Sequence, residues 1–237
     1  MIQLVAFLGN PGREYAGNRH NAGRMLAHIL TQPDIHAMPF FPGLEWQKKF
    51  KGLYAAVNGT QVLCALGKAL PQGEIPQEEK TSLAERVHFL MPETYMNLSG
   101  GPILGAASFF KIKPQEILLV HDELEIPLGA ISLKFSGGLG GHNGLRSMKA
   151  GFGTADFWRL RLGIGRPDSR LPGEGGPAGS GRDIAGWVLS DFSAAEQEAL
   201  GPVLDAGAGL LLRALADGPQ MLLPEWAKKI VYKQEQK

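Results

Sequence analysis

The sequence is sparing in features that would each have narrowed its class. Its 237 residues include one cysteine, Cys64, so a disulfide within the chain is excluded. Cys64 falls in the apolar run Val62 to Leu66, where a core position is expected. The formal charge is +1 with histidines neutral, so no global basic field advertises a nucleic-acid partner, and any such contact needs a local patch. No apolar run approaches the ~18 residues that a membrane span needs. No basic segment followed by a long apolar stretch precedes the first strand, so no signal peptide is expected. A soluble, cytoplasmic protein without a membrane partner is the reading. The His and Cys spacing matches no zinc pattern, so no metal and no cofactor are expected. Hydrophobic residues make up 44% of the chain, which excludes global disorder and suffices for one sizeable core.

What is present is organised around Leu4 to Asn21. Leu4 to Leu8 reads as a buried strand, stopped by the turn residues Gly9-Asn10-Pro11-Gly12. Asn10 therefore stands at a strand end, where open α/β sheets place ligand-binding groups. Apolar residues at Met25, Leu26, Ile29 and Leu30 fit one helical face, which puts His20 at a helix N-terminus. The helix dipole there favours the neutral imidazole, the form that accepts a proton. A plainer alternative is that Asn10 only shapes the turn and His20 only caps the helix.

Further along, Leu53 to Val57 and Gln61 to Leu66 read as two strands of a hairpin closed at Asn58-Gly59. Strands are also expected at Val87 to Met91, Ile117 to Val120, Ala130 to Phe135 and Phe157 to Ile164. Ser99 is the expected N-cap of a helix carrying Ile103, Ala106, Ala107 and Phe110. A glycine-dense loop, Gly137 to Gly144, leads to a short helix. Ala194 to Leu215 reads as a long helix that Pro202 kinks or divides. The polar, Pro- and Gly-rich stretches 67–86 and 166–183 read as exposed excursions. Strands alternating with helices imply one α/β domain over residues 1–237, with a mixed, mostly parallel sheet and helices on both faces.

If the strands are neighbours, their loops bring Asn10 and His20, Asn97, Asp122 and Asn143 to one sheet edge. A carboxylate on one ring nitrogen of His20 fixes the tautomer and leaves the other nitrogen free to act as a base. Asp122, after the most apolar strand, is the candidate. No side-chain nucleophile is evident, so water is the expected nucleophile. The asparagines are neutral groups suited to positioning a polar substrate or steadying an oxyanion. Asp122 capping a turn, Asn97 preceding a helix and Asn143 in a left-handed turn are the structural alternatives. A metal-dependent peptidase using His20, Asp122, Glu123 and His142 is a rival reading, and a non-catalytic RNA-binding scaffold is another.

The stretches GNPGREYAGNRHNAG, PETYMNLSG, HDELEIPLG, GGLGGHNGLRSM and FWRLRLGIGRP occur in this order. Together they resemble the bacterial-type peptidyl-tRNA hydrolase family over most of Leu4 to Pro167. The resemblance implies a monomeric enzyme without cofactor that cleaves the ester between a peptide and the terminal ribose of tRNA, freeing tRNAs left by stalled ribosomes. It implies His20 as base, Asp122 as its orienter, and Asn10 as the residue distinguishing blocked from free aminoacyl groups. Tyr15, Tyr95, Asn97 and Asn143 correspond to substrate-binding positions, with Met96 lining the pocket. Lys134, Arg146 and Lys149 are the expected contacts to the tRNA backbone. Leu139 departs from the pattern, since the family's glycine loop often has histidine there.

Overall fold

The four residues of the first strand are all buried, yet they serve two different cores. Val5 and Phe7 point into one apolar cluster, while Leu4 and Ala6 point into another. A strand buried on both faces needs covering layers above and below it. The computed structural model describes residues 1–31, 39–69, 83–167 and 183–232. Of the two expected excursions, 70–82 and 168–182 lie outside the described residues.

Along the chain come β1 (Leu4–Phe7), α1 (Ala22–Thr31), β2 (Gln47–Lys49), β3 (Gly52–Asn58) and α2 (Gly59–Ala69). Then follow β4 (Arg86–Pro92), α3 (Gly100–Phe110), β5 (Ile117–Glu123), β6 (Ala130–Phe135) and α4 (Asn143–Phe152). The last elements are β7 (Trp158–Gly163), α5 (Ile184–Val188), α6 (Ala194–Ala216), α7 (Pro219–Trp226) and β8 (Lys229–Ile230). The eight strands form one sheet in the order β2-β3-β4-β1-β5-β7-β6-β8. The central strands β4, β1, β5 and β7 pair in parallel. Antiparallel pairing adds β3 and β2 on one side and β6 and β8 on the other. Only β3 and β6 therefore run against the rest, so the sheet is mixed and mostly parallel. Residues of α1, α2 and α6 fill the core on one face, and α3 and α4 fill the other.

Three local expectations are corrected. Asn58-Gly59 does not close a hairpin; it starts a helix. The Gln61 amide donates to Asn58 Oδ1 and the Asn58 amide donates to Gln61 Oε1, both at 2.9 Å. This reciprocal cap outcompetes the turn that Asn-Gly otherwise favours. Val62, Ala65 and Leu66 are the buried residues of α2, at helical spacing. Cys64 consequently faces outward and is exposed rather than buried. Ser99 does not cap α3 with its side chain, because its own backbone is already helical. The cap comes from α4 instead, as Ser147 Oγ accepts from the Gly100 amide at 2.9 Å.

The last helix of length, α6, runs unbroken through Pro202 and starts on a capping box of Ser193 and Glu196. Contrary to the expectation that no segment is long and apolar enough to span a membrane, α6 meets that test with a mean hydropathy of 1.4. Its apolar residues are committed to the core beneath the sheet, where Val203, Leu211 and Leu215 are buried.

Close approach of α1 to the sheet sets the height of everything on its N-terminal end. Gly23 sits against the carbonyls of Leu8 and Val120, with no room for a Cβ. Gly23→Ala is therefore expected to destabilise the fold by about 1–3 kcal/mol through overpacking. A urea titration checks this; an unchanged midpoint would contradict it.

Candidate active site

His20 lies in a single 3-10 turn, Arg19–Asn21, that feeds directly into α1. Asp122 is the penultimate residue of β5, the strand hydrogen-bonded beside β1. The parallel register of these neighbours brings both side chains to the carboxyl edge of the sheet. His20 Nδ1 stands 2.9 and 3.0 Å from the two oxygens of Asp122. A buried carboxylate has only lone pairs to offer, so Nδ1 carries the proton and donates it. Nε2, which has no protein hydrogen-bond partner among the described residues, keeps its lone pair.

A second histidine completes the group. His142 Nδ1 accepts from the Gly144 amide at 3.1 Å as the N-cap of α4. Its Nε2 must then carry hydrogen, and it faces Asp122 Oδ1 at 3.1 Å. The His20 and His142 rings are 4.9 Å apart. Asp122 thus accepts from two imidazoles. His20, Asp122 and His142 are close enough to hold a metal ion between them. In this arrangement, however, the facing nitrogens are hydrogen-bond donors to Asp122 rather than open lone pairs, which does not favour the metal-dependent rival.

Electrostatics follows the same geometry. Burial alone would push the Asp122 carboxyl up, but the charges and hydrogen bonds of His20 and His142 hold it well below the usual carboxylate range. Burial pushes His20 down, yet the Asp122 charge and hydrogen bond push harder, and its pKa is raised above 6.5. The expectation that the helix dipole keeps His20 neutral is therefore corrected: a buried carboxylate in direct contact outweighs a partial charge at the helix end. His121, fully buried, is driven well below its ordinary value first by desolvation and then by His142, and stays neutral.

The other expected residues fall into two groups around this centre. Asn143, the first residue of α4, lines a cavity of about 400 Å³ with His20, Asp122, His142 and Arg146. Asn143 is helical rather than left-handed. Leu124 of the β5–β6 connection and Ile184, Ala185 and Val188 of α5 form the apolar wall of this cavity. Asn10, Tyr15, Tyr95 and Asn97 sit beside it rather than in its lining. Asn10 Oδ1 accepts from the Met96 amide at 2.9 Å, which ties the turn carrying Asn97 to the end of β1. Tyr15 and Tyr95 pack edge to face with centroids 6.5 Å apart, and Tyr95 is exposed. Met96 Sδ in turn reaches the N-terminus of α4, 2.7 Å from where a Cβ on Gly144 would stand. The buried Met96 thus joins the two groups from beneath. Of the expected basic contacts, Arg146 lines the cavity and Lys149 is exposed on α4. Lys134 pairs in register with Arg159, away from the carboxyl edge.

Three supports have almost no signal in the sequence. Asn21 locks Asn10 in place, accepting from its amide at 2.8 Å and donating to its carbonyl at 3.0 Å. The buried Arg159 holds the glycine loop, with its guanidinium donating to the carbonyls of Gly138 and Gly137 at 2.7 and 2.9 Å. Arg19 is the third. It donates to Ser190 and to the Asp191 carbonyl, pairs with Glu196 of α6, and stacks on Trp187 of α5 at 3.7 Å. The residue next to His20 is thereby bolted to α5, which walls the cavity, and to the start of α6. Its only sequence signal is the adjacency to His20, because its partners lie more than 165 residues away.

A sheet edge that gathers a histidine–carboxylate pair and neutral amides beside a cavity defines an α/β enzyme site. Known proteins agree with that class. A family model described as peptidyl-tRNA hydrolase matches residues 4–234. A peptidyl-tRNA hydrolase from Treponema pallidum (strain Nichols) is 40% identical over 231 residues, 96% of each chain. A crystal structure of peptidyl-tRNA hydrolase in complex with N-propanol superposes with a TM-score of 0.67 at 30% identity, covering 94% of this chain and 93% of that one. The peptidyl-tRNA hydrolase of Acinetobacter baumannii gives 0.64 at 31% identity over 94% and 91%. The chain belongs to the peptidyl-tRNA hydrolase family and is an enzyme that hydrolyses peptidyl-tRNA.

The Arg19–Glu196 pair is buried on both sides. Arg19→Ala leaves the Glu196 carboxylate without its counter-ion and is expected to cost about 3–5 kcal/mol of stability. Chemical denaturation measures this, and a destabilisation below ~1 kcal/mol would remove the pair from its structural role.

Proposed function

We propose that this enzyme uses water as nucleophile and His20 as general base on the ester joining a peptide, or an N-blocked aminoacyl group, to the 3′-terminal ribose of tRNA. The observation that carries the reading is the contact of His20 Nδ1 with both oxygens of Asp122. Nε2 takes a proton from water while the water oxygen attacks the ester carbonyl. The imidazolium that forms is stabilised by Asp122, and its proton then goes to the departing ribose oxygen. No cofactor takes part in this scheme.

Neutral amides suit the remaining tasks. Asn10 Nδ2 has no protein partner among the described residues and can donate to the acyl group, while its Oδ1 is occupied by Met96. This supports Asn10 as the residue that separates blocked from free aminoacyl groups. Asn143 in the cavity lining and Asn97 beside it are exposed amides suited to bind the ester and the RNA end. Tyr95 and Tyr15 offer an aromatic corner against which a base can stack. The apolar wall of the cavity suits the peptide. The reading includes a monomer built as one domain. The substrate, a product of interrupted translation, supports a cytoplasmic setting and a role in recycling tRNA.

With N-blocked aminoacyl-tRNA, His20→Ala is expected to lower kcat at least about a hundredfold with KM little changed. Free aminoacyl-tRNA should resist the unaltered enzyme. An active His20→Ala enzyme would reject the assignment. The sign of the pH dependence follows from the raised pKa. The base form appears as pH rises, so kcat/KM climbs through a midpoint above 6.5. Asp122→Asn removes the charge that raises it, so the midpoint should move to lower pH while the plateau falls. A midpoint that stays put in the pH–rate profile would contradict the pairing.

A further inference from the structure

A hairpin tip on the same sheet edge carries chemistry that the cavity does not use. β2 and β3 pair with Lys49 opposite Gly52, so Phe50 and Lys51 form a two-residue turn. Both hold positive φ, 54° and 51°. A turn of this kind favours Asn-Gly, because side chains strain the left-handed region. Here that strain is held by packing. Phe50 lies 5.5 to 5.6 Å from the rings of Phe109, Phe110 and Tyr54. The Lys51 carbonyl accepts from the Glu93 amide at 3.0 Å.

The strained turn fixes charge and aromatic surface together. Lys49 Nζ is 4.7 Å from the Phe109 ring centroid and 4.9 Å from that of Phe50, with Tyr54 and Phe110 further round. Lys48, Lys49 and Lys51 are exposed, and among the described residues none has a carboxylate partner. The nearby Glu93 instead faces Arg24. Phe109 is 64% exposed and Leu98 57%, so one ring of the cluster and an aliphatic side chain are open to a ligand. Between the tip and α3 runs a groove of about 450 Å³, lined by Phe50, Lys51, Thr94, Leu98, Gly101 and Pro102. Its Leu98 directly follows Asn97 in the chain. Three cations without carboxylate partners beside an exposed ring are the combination that binds single-stranded nucleic acid, with phosphates on the lysines and a base on the ring. Strain retained at an exposed tip is what a binding role explains and stability alone does not.

We propose that the Lys48–Lys51 tip and the groove beside Leu98 bind the single-stranded 3′ end of the substrate tRNA, the nucleotides just upstream of the terminal ribose. The inference rests on the placement of the ester at His20. It adds a second cationic surface, separated from Lys134 on β6 by the central strands.

The test pairs variants with substrates of stepped length: N-acetyl-aminoacyl esters of adenosine, of a 3′-terminal tetranucleotide and of full tRNA. With Lys48→Ala plus Lys51→Ala, KM should rise about 3- to 10-fold for the tetranucleotide and tRNA esters. Their log KM against log salt should flatten by about 0.7 for each phosphate that is no longer neutralised. The adenosine ester has no phosphate, so its turnover reports on the His20 centre alone. Lys51→Gly relieves the positive φ and should keep or raise the melting temperature while still weakening the longer substrates, which separates binding from folding. Unchanged KM and salt slope for the tetranucleotide ester would overturn the proposal, as would an effect confined to full tRNA. Undiminished turnover of the blocked tRNA ester by His20→Ala would instead refute the reading of His20.

Discussion

The site depends on one buried carboxylate shared by two imidazoles. Asp122 is almost wholly inside the protein, where an unpaired charge would be costly. It stays ionised because His20 and His142 both point hydrogen at it. Each partner is fixed from elsewhere: His20 by the turn that Arg19 anchors, His142 by its cap on α4. The strand, the helix start and the glycine loop therefore converge on a single charge, and displacing any of them changes the proton affinity of His20.

This arrangement carries a trade-off. Because Asp122 raises the His20 pKa, the pair contributes most to stability below the pH where a free imidazole titrates. That contribution fades as pH rises through the folded pKa. The base is available only over the same rise. The site is thus held less tightly by this pair where it is ready to react. The permanently charged Arg19–Glu196 pair and the Asn10–Asn21 lock do not fade in that range, and they hold the turn when the imidazole is neutral.

Much of the architecture is legible in the sequence because it rests on short-range rules. Alternating or continuous apolar runs mark β1, β4, β5, β6 and β7, and polar residues at their ends mark Asn10, Asp122 and the Tyr95–Asn97 turn. What is not legible is the outcome of competition between local rules and partners far away in sequence. Asn58-Gly59 satisfies both a turn and a helix cap, and Gln61 three residues on decides for the cap. Ser99 is displaced as a cap by Ser147 from a different helix. No metal spacing includes His142, and its actual role, holding Asp122, leaves no mark in the spacing. Beyond its adjacency to His20, Arg19 has no signal, since its carboxylate partner arrives on α6 and its stacking partner on α5. The strained Phe50-Lys51 turn is equally silent, because nothing in the residues themselves favours that conformation.

The central claim is that His20 presents a bare Nε2 because Asp122 keeps the proton on Nδ1. Nitrogen-15 NMR of the selectively labelled histidines reads this directly. Above its titration midpoint His20 should show a protonated Nδ1 and an unprotonated Nε2, with the midpoint above 6.5. A ring protonated on Nε2, or a midpoint below that of a free imidazole, would contradict the account.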